Sequence, residues 1–477
     1  MNTSNEKSDD KEKKTPLPEE REVVKEFKLE LAEQTLEYQT TTGILHIRNE
    51  KEQKVAGIFY IAYTKKDTNP TERPITFCFN GGPGSCSVWL HLGAFGPKYI
   101  DMIDEKVPLP NHSQLVDNEN TLLTQTDIVF IDPVSTGYSR SGEEGKDEDF
   151  FNIEGDAASL TQFILQYISK NQRWVSPKFL AGESYGTTRS ALMAKLLLEK
   201  GVALNGLIMI SLAINFQTFV SEIGNDLPYI LFLPTFTAVA WYQKKLDSSL
   251  LSSDLNKLLT EVREWAMGEY ASALIKGALI TNEEKIRIAE KLSTYTGLET
   301  DDILNLNLRI ADMRFSKSVL QKHGYTVGRM DGRYIGSDIH TDHRRTQHDP
   351  SITAPMSPYT SIINDYLDRT LCFSSPHDYQ ILSMETNQAW KWERKNRLGC
   401  PNTAPDLREA MIINPHMQVL FANGLYDLAT PFFGAEYTAH HMDLPKELQQ
   451  NIQFTYYNAG HMMYFHSESH KALTLDV

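Results

Sequence analysis

Three residues of this chain have the types and order of an acyl-transfer apparatus. Gly182-Glu183-Ser184-Tyr185-Gly186 sets a serine between glycines, after the apolar run Phe179-Leu180-Ala181 and before a helical pattern over 190–198. Strand, sharp turn and helix in that order form a nucleophile elbow, in which a strained turn lifts the serine hydroxyl clear of the sheet edge. Glycines flank it because strand and helix pass too close for side chains. A serine hydroxyl is a poor nucleophile at neutral pH and needs a base, itself held in one tautomer by an acid. On a sheet of this kind the order along the chain is serine, acid, histidine. Asp427 follows the apolar run 417–424, and His461 follows the next strand-like run. The oxyanion formed in acyl transfer needs two backbone N–H donors. Tyr185 supplies one, and the Gly81-Gly82 pair of the loop Asn80-Gly81-Gly82-Pro83-Gly84 supplies the other.

These residues need a frame. Residues 25–31 alternate like a strand, and 43–47 and 55–63 read as hairpin strands around the charged turn 49–54. Short buried strands follow at 74–79, 126–132 and 204–214, with a helix over 154–169 between them. This alternation predicts a mostly parallel sheet covered on both faces. From 215 the pattern turns helical, with apolar steps of three and four over 255–266, 283–294 and 300–312. Strands return at 417–424 and 452–457, with helices at 434–441 and after His461. The expected organisation is a tail over 1–22, an α/β core over 23–214 and 365–477, and a helical cap inserted over 215–364.

Composition narrows the function. The net charge is −15, which argues against a nucleic-acid-binding face. Residues 1–22 are too polar to offset the entropy of ordering and are expected to be disordered. They contain no apolar signal core, and no apolar run is long enough for a membrane helix, so a cytoplasmic location is expected. Four cysteines, Cys78, Cys86, Cys372 and Cys400, make no disulfide framework or zinc spacing and read as buried thiols. His340-Thr341-Asp342-His343 with His348-Asp349 has metal-ligand residue types, but Arg344, Arg345 and the lack of a helical frame point to a solvated loop. No metal or organic cofactor is expected.

Five blocks then carry a resemblance: Phe79-Asn80-Gly81-Gly82-Pro83-Gly84-Ser85, Asp132-Pro133-Val134-Ser135-Thr136-Gly137-Tyr138-Ser139, Gly182-Glu183-Ser184-Tyr185-Gly186, Asn423-Gly424-Leu425-Tyr426-Asp427 and Ala459-Gly460-His461-Met462. In their order and spacing the chain resembles the serine carboxypeptidase family. The resemblance implies an α/β-hydrolase fold and removal of residues from peptides with a free C-terminus. It implies Ser184 as nucleophile, His461 as base, Asp427 as orienting acid, and the N–H groups of Gly82 and Tyr185 as oxyanion hole. It also implies that Asn80, Gly81 and Glu183 hold the substrate's terminal carboxylate, which requires a protonated Glu183. Two positions depart from the family pattern. Ala94 stands where a second glutamate is expected, and Ser85 stands where a cysteine is expected, so the secreted members' disulfides do not carry over. Three readings follow: a serine carboxypeptidase, an esterase or acyltransferase using the same triad, and a non-catalytic binding protein on this fold.

Overall fold

The computed structural model describes residues 17–102, 113–338 and 348–477. Its main sheet is built from β1 (Glu22–Glu30), β2 (Thr35–Arg48), β3 (Lys54–Lys65), β4 (Ile75–Phe79), β5 (Asp127–Ile131), β6 (Lys178–Glu183), β7 (Gly206–Ile210), β8 (Gln418–Gly424) and β9 (Ile452–Tyr457), in the spatial order β1-β2-β3-β5-β4-β6-β7-β8-β9. A two-residue strand, Arg140–Ser141, also pairs with β3. From β5 to β9 every neighbour is parallel, while β1, β2, β3 and β5 pair antiparallel. The antiparallel edge comes from the hairpin signals, and the parallel centre from the short apolar runs that need helical crossovers.

The central strands are buried on both faces, and their side chains divide by the two-residue period. Phe77, Val129, Met209 and Phe421 enter one core, with α1 (Ile153–Lys170), α2 (Tyr185–Glu199) and α7 (Ala404–Ile413). Cys78, Phe130, Ile208 and Leu420 enter the other. That second core is closed by Trp89, Leu92, Tyr359, Tyr464 and Leu473, from the turn 88–95, the helix α6 (Pro350–Asp365) and the C-terminal segment ending in α9 (Ser467–Asp476).

A third core gathers α3 (Leu227–Tyr242), α4 (Leu255–Trp265) and α5 (Asn282–Thr296). It also takes in Leu425, Tyr426, Leu428, Phe432 and Phe433, which flank Asp427 and start α8 (Phe432–His440). The helical segment therefore rests on the loop that carries the expected acid. Within the expected cap, Pro350–Asp365 packs differently: its Tyr359 and Ile363 belong to the second core of the sheet.

Several expectations are corrected. Residues 1–16 of the expected tail lie outside the described residues, but 17–21 are ordered against β2. The Ile44 N–H donates to the Arg21 carbonyl (3.0 Å), and the His46 ring bonds the Pro18 carbonyl (2.7 Å). The helix expected over 300–312 stops at Asn305, because Asn307 and Leu308 take left-handed φ values of 50° and 67°. A small hairpin, Tyr325–Val327 with Ile335–Ser337, interrupts the helical cap expected over 215–364. Cys78 and Cys86 are buried as expected, but Cys372 is exposed and Cys400 only partly covered; all four thiols are free. Residues 340–343 of the metal-like cluster lie outside the described residues, and Asp349 caps α6 by accepting from the Ser351 N–H. No described helix is long and apolar enough to cross a membrane.

Candidate active site

Ser184 sits between β6 and α2 with φ 58° and ψ −127°, a strained conformation for a residue with a side chain. The surrounding bonds hold it there. Its N–H donates to the Ile210 carbonyl (2.9 Å), and its own carbonyl accepts from the Thr187 N–H (2.8 Å). A Cβ on Gly186 would stand 2.8 Å from the Phe79 carbonyl, and one on Gly81 would stand 2.5 Å from the Tyr185 nitrogen. The glycine loop after β4 is thus pressed directly against the elbow. Gly81, the residue before Gly82, is brought against the Tyr185 backbone in this way.

Asp427 and His461 lie past the C-terminal ends of β8 and β9, where ligand sites form on open α/β sheets. The Asp427 Oδ2 accepts from His461 Nδ1 (2.7 Å) and from the Thr430 hydroxyl (2.7 Å). Its Oδ1 accepts from the Ala429 and Thr430 N–H groups (2.8 and 3.0 Å). The aspartate therefore caps the turn that leads into α8 and anchors the imidazole with the same carboxylate. With Nδ1 carrying the hydrogen, Nε2 is left as the acceptor. Burial lowers the pKa of His461, but the charge and hydrogen bond of Asp427 outweigh it and raise the imidazole above its ordinary value.

Ser184 and His461 border one cavity of about 100 Å³ together with Asn80, Gly81, Gly82 and Glu183. A larger hollow of about 330 Å³ lies at the opposite ends of the strands, among Thr76, Phe179, Gly206 and Gln418. Neither Ser184 nor His461 lines it, whereas both line the smaller cavity. Its apolar wall comes from Trp89, Leu382 and Met462 of the core and from Met330, Ile352 and Met356 of the 215–364 segment.

Glu183 and Asn80 form the polar floor. Asn80 Nδ2 donates to Glu183 Oε1 (2.9 Å), while Asn80 Oδ1 accepts from the Leu90 N–H (3.0 Å), which fixes the amide orientation. The Asn80 carbonyl accepts from Arg189 (2.7 Å), whose guanidinium is buried and paired with Asp156 (2.8 Å). Burial pushes the Glu183 carboxyl up to about 7, against the pull of His461, Tyr464 and Asn80. A carboxyl poised there is protonated in a large fraction of molecules near neutrality and then donates a hydrogen bond.

Sequence reasoning missed the segment 329–333. Its backbone and one ion pair stitch together the two loops that carry Asp427 and His461. The Met330 carbonyl accepts from the His461 N–H (2.6 Å), and the Arg329 carbonyl accepts from the Leu428 N–H (3.0 Å). Asp331 accepts from the Gly460 N–H (3.0 Å), and Arg333, paired with Asp331, donates to the Asn458 carbonyl (3.0 Å). Gly460 has to be glycine, because a Cβ there would be driven into Asp331 and the Met330 carbonyl. No sequence signal marks this role, since backbone carbonyls make half of it. Asp132, within one of the five blocks, positions its surroundings. It accepts from the Ser87 N–H (2.8 Å) and the Tyr379 hydroxyl (2.9 Å), and so holds the chain after the glycine loop.

The model of the family described as serine carboxypeptidase matches residues 31–475. Among curated proteins, Serine carboxypeptidase-like 5 of Arabidopsis thaliana is 26% identical over 378 residues, covering 75% of this chain and 77% of that protein. Serine carboxypeptidase-like 4 of the same plant is 24% identical over 371 residues, covering 74% and 76%. Among solved structures, Kex1(Δ)p, a prohormone-processing carboxypeptidase from Saccharomyces cerevisiae, superposes with a TM-score of 0.57 at 18% identity over 92% of this chain and 90% of that one, a likeness of fold.

Proposed function

Because the chain belongs to the serine carboxypeptidase family, we propose that it removes C-terminal residues from peptides through a Ser184–His461–Asp427 triad and an acyl-enzyme. The observation that carries this reading is the His461–Asp427 bond of 2.7 Å, with His461 lining the same cavity as Ser184 and the buried Asn80–Glu183 pair.

In this mechanism the terminal carboxylate lies against Asn80 Nδ2, the Gly81 N–H and protonated Glu183, which fixes the last peptide bond over Ser184. The Ser184 hydroxyl attacks the carbonyl carbon, and His461 Nε2 takes its proton. The negative charge moves to the carbonyl oxygen, which faces the Gly82 and Tyr185 N–H groups. Asp427 stabilises the imidazolium and keeps its geometry. The proton then passes from His461 to the leaving nitrogen, the C–N bond breaks, and an ester to Ser184 remains. Water attacks this ester with His461 again as base, and the shortened peptide leaves.

The test is hydrolysis of an N-blocked dipeptide beside the same compound with its C-terminal carboxylate converted to an amide. Release of the free terminal amino acid, with a large loss of kcat/KM for the amide, is expected. Equal rates would remove the carboxylate site. The esterase or acyltransferase reading keeps the same triad and is favoured by the buried, side-chain-poor Ala94. Turnover of short acyl esters without any peptide release would select it.

A further inference from the structure

Glu183 has a second buried partner. The Tyr464 hydroxyl donates to Glu183 Oε2 at 2.6 Å, opposite the Asn80 bond on Oε1, and both side chains are buried. Tyr464 lies three residues after His461, in the turn Met463–Phe465, so the base and this phenol are carried by one short segment. Its ring fits because the facing turn is bare. A Cβ on Gly93 would stand 2.8 Å from the Tyr464 ring and 2.6 Å from the Tyr359 hydroxyl, and the next residue is the small Ala94. Two tyrosines thus fill the space beside Gly93. The other groups acting on Glu183 are His461 and Asp427 from the triad and Asn80 from the glycine loop, and Glu183 in turn acts on Tyr359 from α6.

We propose that Tyr464 is a positioning and specificity residue: its phenol holds Glu183 in place and supports the ionised carboxylate, and so limits how far into alkaline conditions the site accepts a terminal carboxylate. The inference rests on the carboxypeptidase reading of the same cavity. The physical reason is direct. A phenol that donates to a carboxylate stabilises the charged form, and an ionised Glu183 repels a carboxylate ligand. Without the phenol, Glu183 stays protonated to higher pH and the ligand is held over a wider range. The Asn80 amide donates to the carboxylate in either case and does not substitute for the phenol.

The experiment is competition against a short acyl ester from pH 5 to 9, with N-acetylphenylalanine and its amide as inhibitors. Active sites in each protein are counted by fluorophosphonate titration. In the wild type, inhibition by the carboxylate is expected to weaken as pH rises through about 7, with no such midpoint for the amide. In Tyr464→Phe the midpoint should rise by about one pH unit, the size expected from losing one hydrogen bond to a charged group. Fluorotyrosine incorporated at 464, a stronger donor, should lower it, which gives a second probe of opposite sign that keeps the phenolic hydroxyl. In Glu183→Gln the midpoint should vanish, and adding Tyr464→Phe should produce no further shift. An unmoved midpoint in both 464 variants, or a shift that persists in the Glu183→Gln background, overturns the role of Tyr464. Equal inhibition by carboxylate and amide at every pH in the wild type overturns the carboxylate site itself, and the Tyr464 proposal with it.

Discussion

Replacing Asp427 by asparagine tests the relay at one atom. The structure decides which way the new amide must point. Oδ1 accepts two backbone N–H groups, from Ala429 and Thr430, and only an oxygen serves there. The amide nitrogen is therefore placed at the Oδ2 position, facing His461 Nδ1 and the Thr430 hydroxyl. The hydroxyl rotates and accepts. The imidazole has one response, which is to lose its Nδ1 hydrogen and carry it on Nε2 instead. The nitrogen that should take the Ser184 proton then already holds one. The shape of the site hardly changes, so substrate binding and melting temperature should stay near wild type, while kcat falls on the order of 10⁴-fold, as for the same exchange in other triads. The assay is steady-state hydrolysis of an acyl ester, with the fluorophosphonate labelling rate as an independent readout of Ser184. A kcat within tenfold of wild type, with a normal fold, would refute the claim that Asp427 works through the tautomer of His461.

Ser184→Ala is expected to remove turnover by about 10⁶-fold if the three residues act as a unit, with circular dichroism unchanged. The wild-type pH profile should differ between substrates. Ester kcat/KM falls on the acid side as His461, raised above its ordinary value by Asp427, takes up a proton, whereas peptide KM rises on the alkaline side as Glu183 ionises near 7. Glu183→Gln should raise peptide KM more than ester KM, read from paired Michaelis curves. Gly460→Ala forces a methyl into Asp331 and the Met330 carbonyl; a destabilisation of about 1–3 kcal/mol with a fall in kcat is expected, measured by denaturant titration beside ester kinetics. Arg189→Met strands Asp156 and frees the Asn80 carbonyl; a loss of about 3–5 kcal/mol is expected, because a buried charge loses its partner.

The parts of the site that were legible in the sequence share one property. They are short, local and chemically constrained. The elbow needs its glycines, β8 and β9 are short strand-like runs that end three and four residues before Asp427 and His461, and the loop 80–84 is nearly bare of side chains. What escaped was long-range or without period. Helix α3 is apolar on almost every side and contains Pro234, so no stripe announced it. The 329–333 clamp acts through carbonyls and an ion pair that any polar turn could contain. Tyr464 reads as one more core aromatic until its hydroxyl is seen against Glu183. Residues 17–21 look like tail in composition, yet they add backbone and ring hydrogen bonds to β2 that composition does not reveal.

The most direct measurement is the mass of the enzyme after brief exposure to a fluorophosphonate or a slowly deacylating ester, followed by peptide mapping across pH. A single adduct on the peptide containing Ser184 is expected. Its rate should fall on the acid side as His461 protonates, and it should be absent from Ser184→Ala. An adduct at another residue, or labelling of Ser184 that ignores both pH and the loss of His461, would contradict the triad on which the proposed chemistry stands.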